Sequence, residues 1–313
     1  MTKMKIGWVG LGTMGTPMVK NLLAKGFPVC VYNRTREKEK ELIKLGATSA
    51  ESLQQLSQVS EVVITMITDD EAVEQVYNSE HGLLNNPSSG TLMIDMSTVG
   101  TQISKRLAKN CVDKGVRFLE AKVSGSVKPA EEGQLVIMAG GAPEDYQNAL
   151  PIFEVLGKRS FLMGEVGIAS AAKLCLNYFL ALTFQGLSET VLFAQRENID
   201  KEAMLNLINE SALGSGITRL KSQAILSNDF SPAFALKHIT KDLRLVQKEG
   251  MNFPLFRPLL ASYQSASKAG YGEKDAISII GFLDKPAVNS KNFASLFSIA
   301  GSRKIKELKN EDK

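Results

Sequence analysis

Short apolar runs rich in β-branched residues alternate with amphipathic stretches through the first half of the chain. Residues 5–9, 29–32, 62–66 and 92–95 read as strands, and the segments between them carry apolar positions at helical spacing. Strand, helix and strand in repeated succession imply a parallel sheet with helices on its faces. Three more strand-like runs follow at 116–123, 134–139 and 160–163. From residue 168 to about 195 nearly every position is a helix former, which predicts one long helix opening an all-helical second half. The expected fold class is α/β, an N-terminal parallel-sheet domain joined by that helix to an all-helical C-terminal domain. The boundaries are placed at 1–165, 166–284 and 285–313, the last a C-terminal extension of changed composition. Its charged end, 302–313, reads as a solvated helix or frayed end.

Length agrees with this division, since 313 residues is about twice an ordinary domain. With 44% hydrophobic and 22% charged residues the composition is that of a globular protein, which excludes disordered and fibrous classes. The net charge of +4 comes from basic residues spread along the chain, so no nucleic-acid partner is expected. Three cysteines, Cys30, Cys111 and Cys175, form no CxxC pair, and with only two histidines beside them no metal site is expected. An odd cysteine count without a secretory leader fits the cytoplasm. The longest nearly apolar stretch, 174–184, is interrupted by Asn177 and is far shorter than the roughly 20 residues a bilayer needs, so no membrane partner is expected either.

Chemistry enters at Gly10-Leu11-Gly12-Thr13-Met14-Gly15, a G-x-G-x-x-G directly after the first strand and opening a helix. Glycines there permit a tight turn and close approach of backbone to a pyrophosphate, while the helix start offers unpaired N–H groups to the anion. The first domain is thereby expected to be of Rossmann type. About 20 residues on, where an NAD site carries a carboxylate, stands Asn33-Arg34-Thr35. A guanidinium binds a 2′-phosphate that a carboxylate would repel, and Thr35 adds a hydroxyl, so the expected cofactor is NADP(H). Arg36 and Lys38 stand close enough to share that role.

Two further strand ends carry hydroxyls: Thr98, after Asp95-Met96-Ser97, and Ser124-Gly125-Ser126. They suit a small carboxylate, and they serve equally well as helix N-caps. On the long helix, Lys173 and Asn177 share a face at i, i+4 among Ala171, Leu174, Leu176 and Phe179. Desolvation of a lysine in an apolar cleft favours its neutral form, the tuning that acid–base work requires; a lysine snorkelling to the solvent edge is the plainer alternative. His238 receives no role.

Together these residues resemble the β-hydroxyacid dehydrogenase family, which includes the 3-hydroxyisobutyrate dehydrogenases. The resemblance covers about residues 4–283. It is carried by GLGTMGTPM at 10–18, DMST at 95–98, VSGS at 123–126, GEVGIASAAKLCLN at 164–177 and KDLRL at 241–245. The wording SGSVKPAEEGQLVIMAGG and FSPAFALKHITKDLRL is similar to the NADPH-dependent glyoxylate/succinic semialdehyde reductases within it. The resemblance implies Lys173 as catalytic lysine with Asn177 orienting it, and Thr98, Ser124, Gly125 and Ser126 as substrate contacts. It further implies Phe234 and Asp242 shaping the site, and cofactor contacts at Met66, Ile67, Thr98 and Lys241 besides the glycine loop. A small aldehyde or hydroxy acid would be the substrate, and a homodimer or tetramer the assembly. Oxidation of 3-hydroxyisobutyrate or a related β-hydroxy acid is the neighbouring alternative, and a non-catalytic NADP-binding module is one of another class. The chain departs from the family at Lys122, where proline usually precedes Val-Ser-Gly, and at Gly100-Thr101, which replaces an acidic residue and proline.

Overall fold

A computed structural model describes residues 3–285, which divide into two compact units, one up to Leu176 and the other from Asn177. Apart from Lys285, the C-terminal extension set apart above lies outside the described residues.

The first unit strings together β1 (Ile6–Val9), α1 (Gly15–Ala24), β2 (Val29–Tyr32), α2 (Lys40–Lys44), β3 (Thr48–Ser49), α3 (Leu53–Val59) and β4 (Val62–Thr65). It continues through α4 (Asp70–Asn78), β5 (Leu92–Asp95), α5 (Thr101–Asp113), β6 (Arg117–Ser124), α6 (Val127–Glu131), β7 (Leu135–Gly141), α7 (Pro143–Leu156) and β8 (Gly157–Gly164). The strands form one sheet in the order β3-β2-β1-β4-β5-β6-β7-β8. Side chains alternate across it. Ile6, Trp8, Ile64 and Leu119 join the core under α1 and α7, whereas Val9, Val63, Met93 and Phe118 join the core that holds Leu56, Tyr77 and Leu107.

The parallel pattern expected from the sequence holds except at β7, which runs antiparallel to β6. The link between them, residues 125–134, is shorter than the dozen or so residues a parallel crossover requires. The two-residue edge strand β3 was not anticipated, because Thr48 and Ser49 are both exposed and show no apolar alternation.

The long helix is α8 (Ile168–Arg196), and its first turns belong to the first unit. The second unit takes the remainder with α9 (Lys201–Glu210), α10 (Gly216–Ser227), α11 (Leu236–Lys248), α12 (Phe256–Ala266) and α13 (Ile279–Leu283). Buried Tyr263 donates its hydroxyl to the Ala181 carbonyl, fixing α12 against α8. Lys221 and Asp275, also buried, pair at 2.7 Å, and Asp275 Oδ2 accepts the N–H groups of Ala233 and Phe234. Among the described residues no helix is long and apolar enough to cross a membrane.

Candidate active site

The order of the sheet reverses at β1, which lies between β2 and β4, and such a reversal opens a crevice at the carboxyl ends of the strands. Gly10 follows β1 into that crevice with φ +101°, and a Cβ there would collide with the Met66 carbonyl oxygen. Met66 thus marks how closely the loops after β1 and β4 approach. Gly12 differs, since a Cβ added to it meets no protein atom within 4 Å. No side chain caps α1 and its first turn carries no acidic residue, so its N-terminal N–H groups face no built-in anion. Gly12, Thr13, Lys20 and Lys38 help line a pocket of about 440 Å³. An open glycine backbone and an uncapped helix start fit a phosphate-bearing group, while Glu37, Glu41 and Glu131 line the same pocket and Lys20 pairs with Glu41.

At the end of β2, Asn33 Oδ1 accepts the Leu11 N–H at 2.9 Å and its Nδ2 donates to the Thr35 carbonyl, tying this loop to the glycine loop. Beneath it lies Glu39, only 2% exposed, whose carboxylate takes the Asn33 N–H, the Ser49 hydroxyl and the Arg36 guanidinium. Arg36 also donates to the carbonyls of Ala50 and Glu51 and lies over the Tyr32 ring. Arg36 is therefore engaged in holding this loop to the fold. Arg34 and Thr35 are exposed, and no described residue forms an ion pair with Arg34.

Beyond β5, Ser97 is buried and its hydroxyl accepts the Ile67 N–H at 2.9 Å. Thr98 is half-buried beside it. Helix α5 takes Gly100 as its N-cap with no side-chain bond from that residue, and the Ser126 side chain does not cap α6. Ser124 closes β6, and Gly125, at φ +136°, turns the chain away from it. Under these strand ends Asp95 accepts from Thr65 Oγ1 at 2.8 Å, and Thr65 meets the buried Tyr77 hydroxyl. Burial and the Asp95 charge push the Tyr77 phenol well above its ordinary range, so it stays protonated.

Two charges on β6 are buried, Lys122, marked above only as a departure from the family, and Glu120, which nothing in the sequence marked out. Lys122 pairs with Asp95. Glu120 accepts the N–H groups of Gly167 and Ala169 at 2.7 and 2.9 Å and the Ser170 hydroxyl at 2.6 Å, so that a carboxylate sits at the positive end of α8. Lys173 lies one turn further on and is half-buried. The apolar surround expected for it is only partly present: Leu174 is buried, but Leu176, on the same face one turn on, and Phe179 are exposed.

In the second unit, Asn177 is 4% exposed and donates Nδ2 to Asp242 Oδ2 at 2.5 Å. Asp242 Oδ1 lies 3.1 Å from Lys241 Nζ, within reach of its charge, yet accepts no hydrogen bond from a described residue. Phe234 stacks on the His238 ring, and burial together with Lys241 and Lys237 holds the His238 imidazole below its usual range.

Two family models match the chain. The NAD-binding domain of 6-phosphogluconate dehydrogenase matches residues 5–164, and the NAD-binding model of NADP-dependent 3-hydroxyisobutyrate dehydrogenase matches residues 167–283. Glyoxylate/succinic semialdehyde reductase 1 of Arabidopsis thaliana is 35% identical over 281 residues, 88% of this chain and 97% of that protein. Among solved structures, Psf3 in complex with NADP+ and 2-OPP matches at 26% identity and TM-score 0.83, covering 89% of this chain and 99% of its own. The 3-hydroxyisobutyrate dehydrogenase of Mycobacterium tuberculosis with L-serine matches at 25% identity and TM-score 0.83, over 90% of this chain and all of its own. With family models matching both halves of the chain and a relative 35% identical over nearly its full length, the chain belongs to the β-hydroxyacid dehydrogenase family of oxidoreductases that bind a nicotinamide cofactor.

Proposed function

We propose that the protein reduces small aldehyde acids such as glyoxylate or succinic semialdehyde to their hydroxy acids with NADPH. The observation that carries the cofactor preference is the charge at the end of β2. Arg34 is exposed beside the glycine loop with no described ionic partner, where a carboxylate would stand for NAD. The substrate class is supported by the 35% identity to a glyoxylate/succinic semialdehyde reductase across almost that protein's full length.

When bound, the nicotinamide supplies the hydride that reduces the carbonyl carbon. The chain supplies the rest. Lys173 Nζ gives a proton to the carbonyl oxygen as the hydroxyl forms, so one hydride and one proton turn the aldehyde into an alcohol. The hydroxyls of Thr98 and Ser124 and the Gly125 N–H hold the carboxylate, with Ser126 next to them. Met66, Ile67, Asn33 and Thr35 frame the cofactor groove together with the glycine loop. Glu120 fixes the start of α8, and Asn177 sets the helix face that Lys173 shares.

The helical unit is proposed to bury its exposed Phe179 and Phe193 in a homodimer or tetramer. The three cysteines are free, in keeping with a cytoplasmic setting. A second reading, oxidation of 3-hydroxyisobutyrate, draws on the match of residues 167–283 to an NADP-dependent 3-hydroxyisobutyrate dehydrogenase model. A panel of aldehyde acids and hydroxy acids with each cofactor separates the readings. Faster consumption of NADPH than NADH with an aldehyde acid supports the proposal, faster oxidation of 3-hydroxyisobutyrate supports the second reading, and cofactor binding with no turnover refutes both.

A further inference from the structure

Lys122 and Asp95 are both fully excluded from solvent, and Lys122 Nζ lies 2.5 Å from Asp95 Oδ2 and 3.4 Å from the Asp95 carbonyl oxygen. Their place in the sheet gives the pair its meaning. The β5–β6 ladder ends at the pairing of Asp95 with Glu120. Continued in parallel register, it would set Ser97 opposite Lys122, but β5 stops at Asp95 while β6 runs on to Ser124. The strands part there, and where ladder bonds cease the Lys122 side chain reaches back to the last residue of β5.

The same carboxylate continues the chain of contacts. Asp95 Oδ1 accepts the Ser97 N–H at 3.3 Å, and Ser97 leads directly to Thr98. On β6, residues at two-residue spacing share a face, so Glu120, Lys122 and Ser124 lie on one side of the strand. Glu120 holds the start of α8, Lys122 holds the end of β5, and Ser124 is the third of the row. A buried ion pair is seldom kept for stability alone, since well-packed apolar residues serve a core as well. An ion pair does fix a distance and a direction that an apolar contact leaves looser.

We propose that Lys122 is a positioning residue, whose buried pair with Asp95 sets the spacing between the strand ends presenting Thr98 and Ser124 and so fits that corner to the substrate carboxylate. The inference rests on the reading of Thr98 and Ser124 as carboxylate contacts.

The test uses the full chain and three variants, Lys122→Met, the double variant Lys122→Met/Asp95→Asn, and Lys122→Gln. The single change to Met leaves the Asp95 carboxylate buried without its cation and lowers the melting temperature; the double variant removes both charges and recovers much of that loss. In the double variant the KM for glyoxylate or succinic semialdehyde is expected to rise about tenfold or more, because the spacing is no longer fixed. Its NADPH affinity, and its kcat/KM for propanal, which has no carboxylate, should stay within about twofold of the parent. A purely structural role would move all of these together. Lys122→Gln, which keeps a donor toward Asp95, should give a smaller rise in KM and stands in if the double variant does not fold. A KM for aldehyde acids unchanged in every folded variant, or raised equally for propanal, overturns the inference. A parent protein that reduces no aldehyde acid overturns the proposed function instead, and the inference with it.

Discussion

Asn177 Nδ2 stands 2.5 Å from Asp242 Oδ2, with both side chains buried, and the other oxygen of Asp242 accepts no hydrogen bond from a described residue. Removing the amide would leave that buried carboxylate with no hydrogen-bond donor among the described side chains, only the Lys241 ammonium 3.1 Å from Oδ1. Asn177→Ala should therefore cost about 1–3 kcal/mol in stability. Asp242→Asn retains an oxygen for the same bond and should cost less. Urea unfolding of the two variants checks the order, and an equal loss from both would contradict it.

Glu120 allows a similar comparison of isosteres. Its three acceptor bonds hold Gly167, Ala169 and Ser170 at the start of α8. A glutamine can still accept both backbone N–H groups and can donate to the Ser170 hydroxyl, which has Ser104 as a second partner at 2.8 Å. Glu120→Gln should thus lose mainly the charge at the helix end, about 0.3–2 kcal/mol. Glu120→Ala leaves those donors buried and unmatched and should cost about 3 kcal/mol or more. Chemical denaturation of both proteins decides whether the cap works as described.

Arg34 and Arg36 stand two residues apart and should respond in opposite ways. Arg34→Asp should weaken NADPH binding by about 10²-fold with little change in melting temperature, because it loses a charge-assisted contact and places a carboxylate against the 2′-phosphate. Arg36→Asp removes the bonds to Glu39, Ala50 and Glu51 and should lower stability first. NADPH titration and thermal melts of both variants are the check, and unchanged NADPH affinity in Arg34→Asp removes the case for NADP preference.

His238 gives the fold an acid-side weakness. Burial and the neighbouring Lys241 and Lys237 lower its pKa below the ordinary 6.5, outweighing Asp242 and Glu273, which pull the other way. A depressed histidine binds its proton in the unfolded chain before the folded one, so stability falls as pH drops below the ordinary value. His238→Gln should lose less stability than the parent between about pH 7.5 and 5.5. Urea midpoints at those two values measure the difference, and parallel losses would show that His238 is not the group responsible.

The sheet, the glycine loop and the long helix were legible because their signals are local: short apolar, β-branched runs, a G-x-G-x-x-G placed after a strand, and an unbroken stretch of helix formers. The charges that organise the site were not. Glu39 lies in the run Arg36-Glu37-Lys38-Glu39-Lys40, which reads as a solvated face, yet it is buried because Ser49 and Asn33 converge on it from outside that run. Glu120 and Lys122 alternate with Leu119, Ala121 and Val123, the pattern of a half-exposed strand. Their partners lie 47 and 27 residues away, at Gly167 and Asp95, so nothing in the local pattern shows that both are buried. The surround of Lys173 was only partly legible, since the exposure of Leu176 and Phe179 depends on what packs against α8 and not on their spacing along it.

Lys173 is proposed to carry the proton in the reduction. The measurement that tests it most directly is steady-state turnover of glyoxylate or succinic semialdehyde with NADPH by Lys173→Ala, alongside NADPH affinity of the same protein. Turnover should fall by about 10²-fold or more with cofactor binding retained. Near-normal turnover in that variant would contradict it.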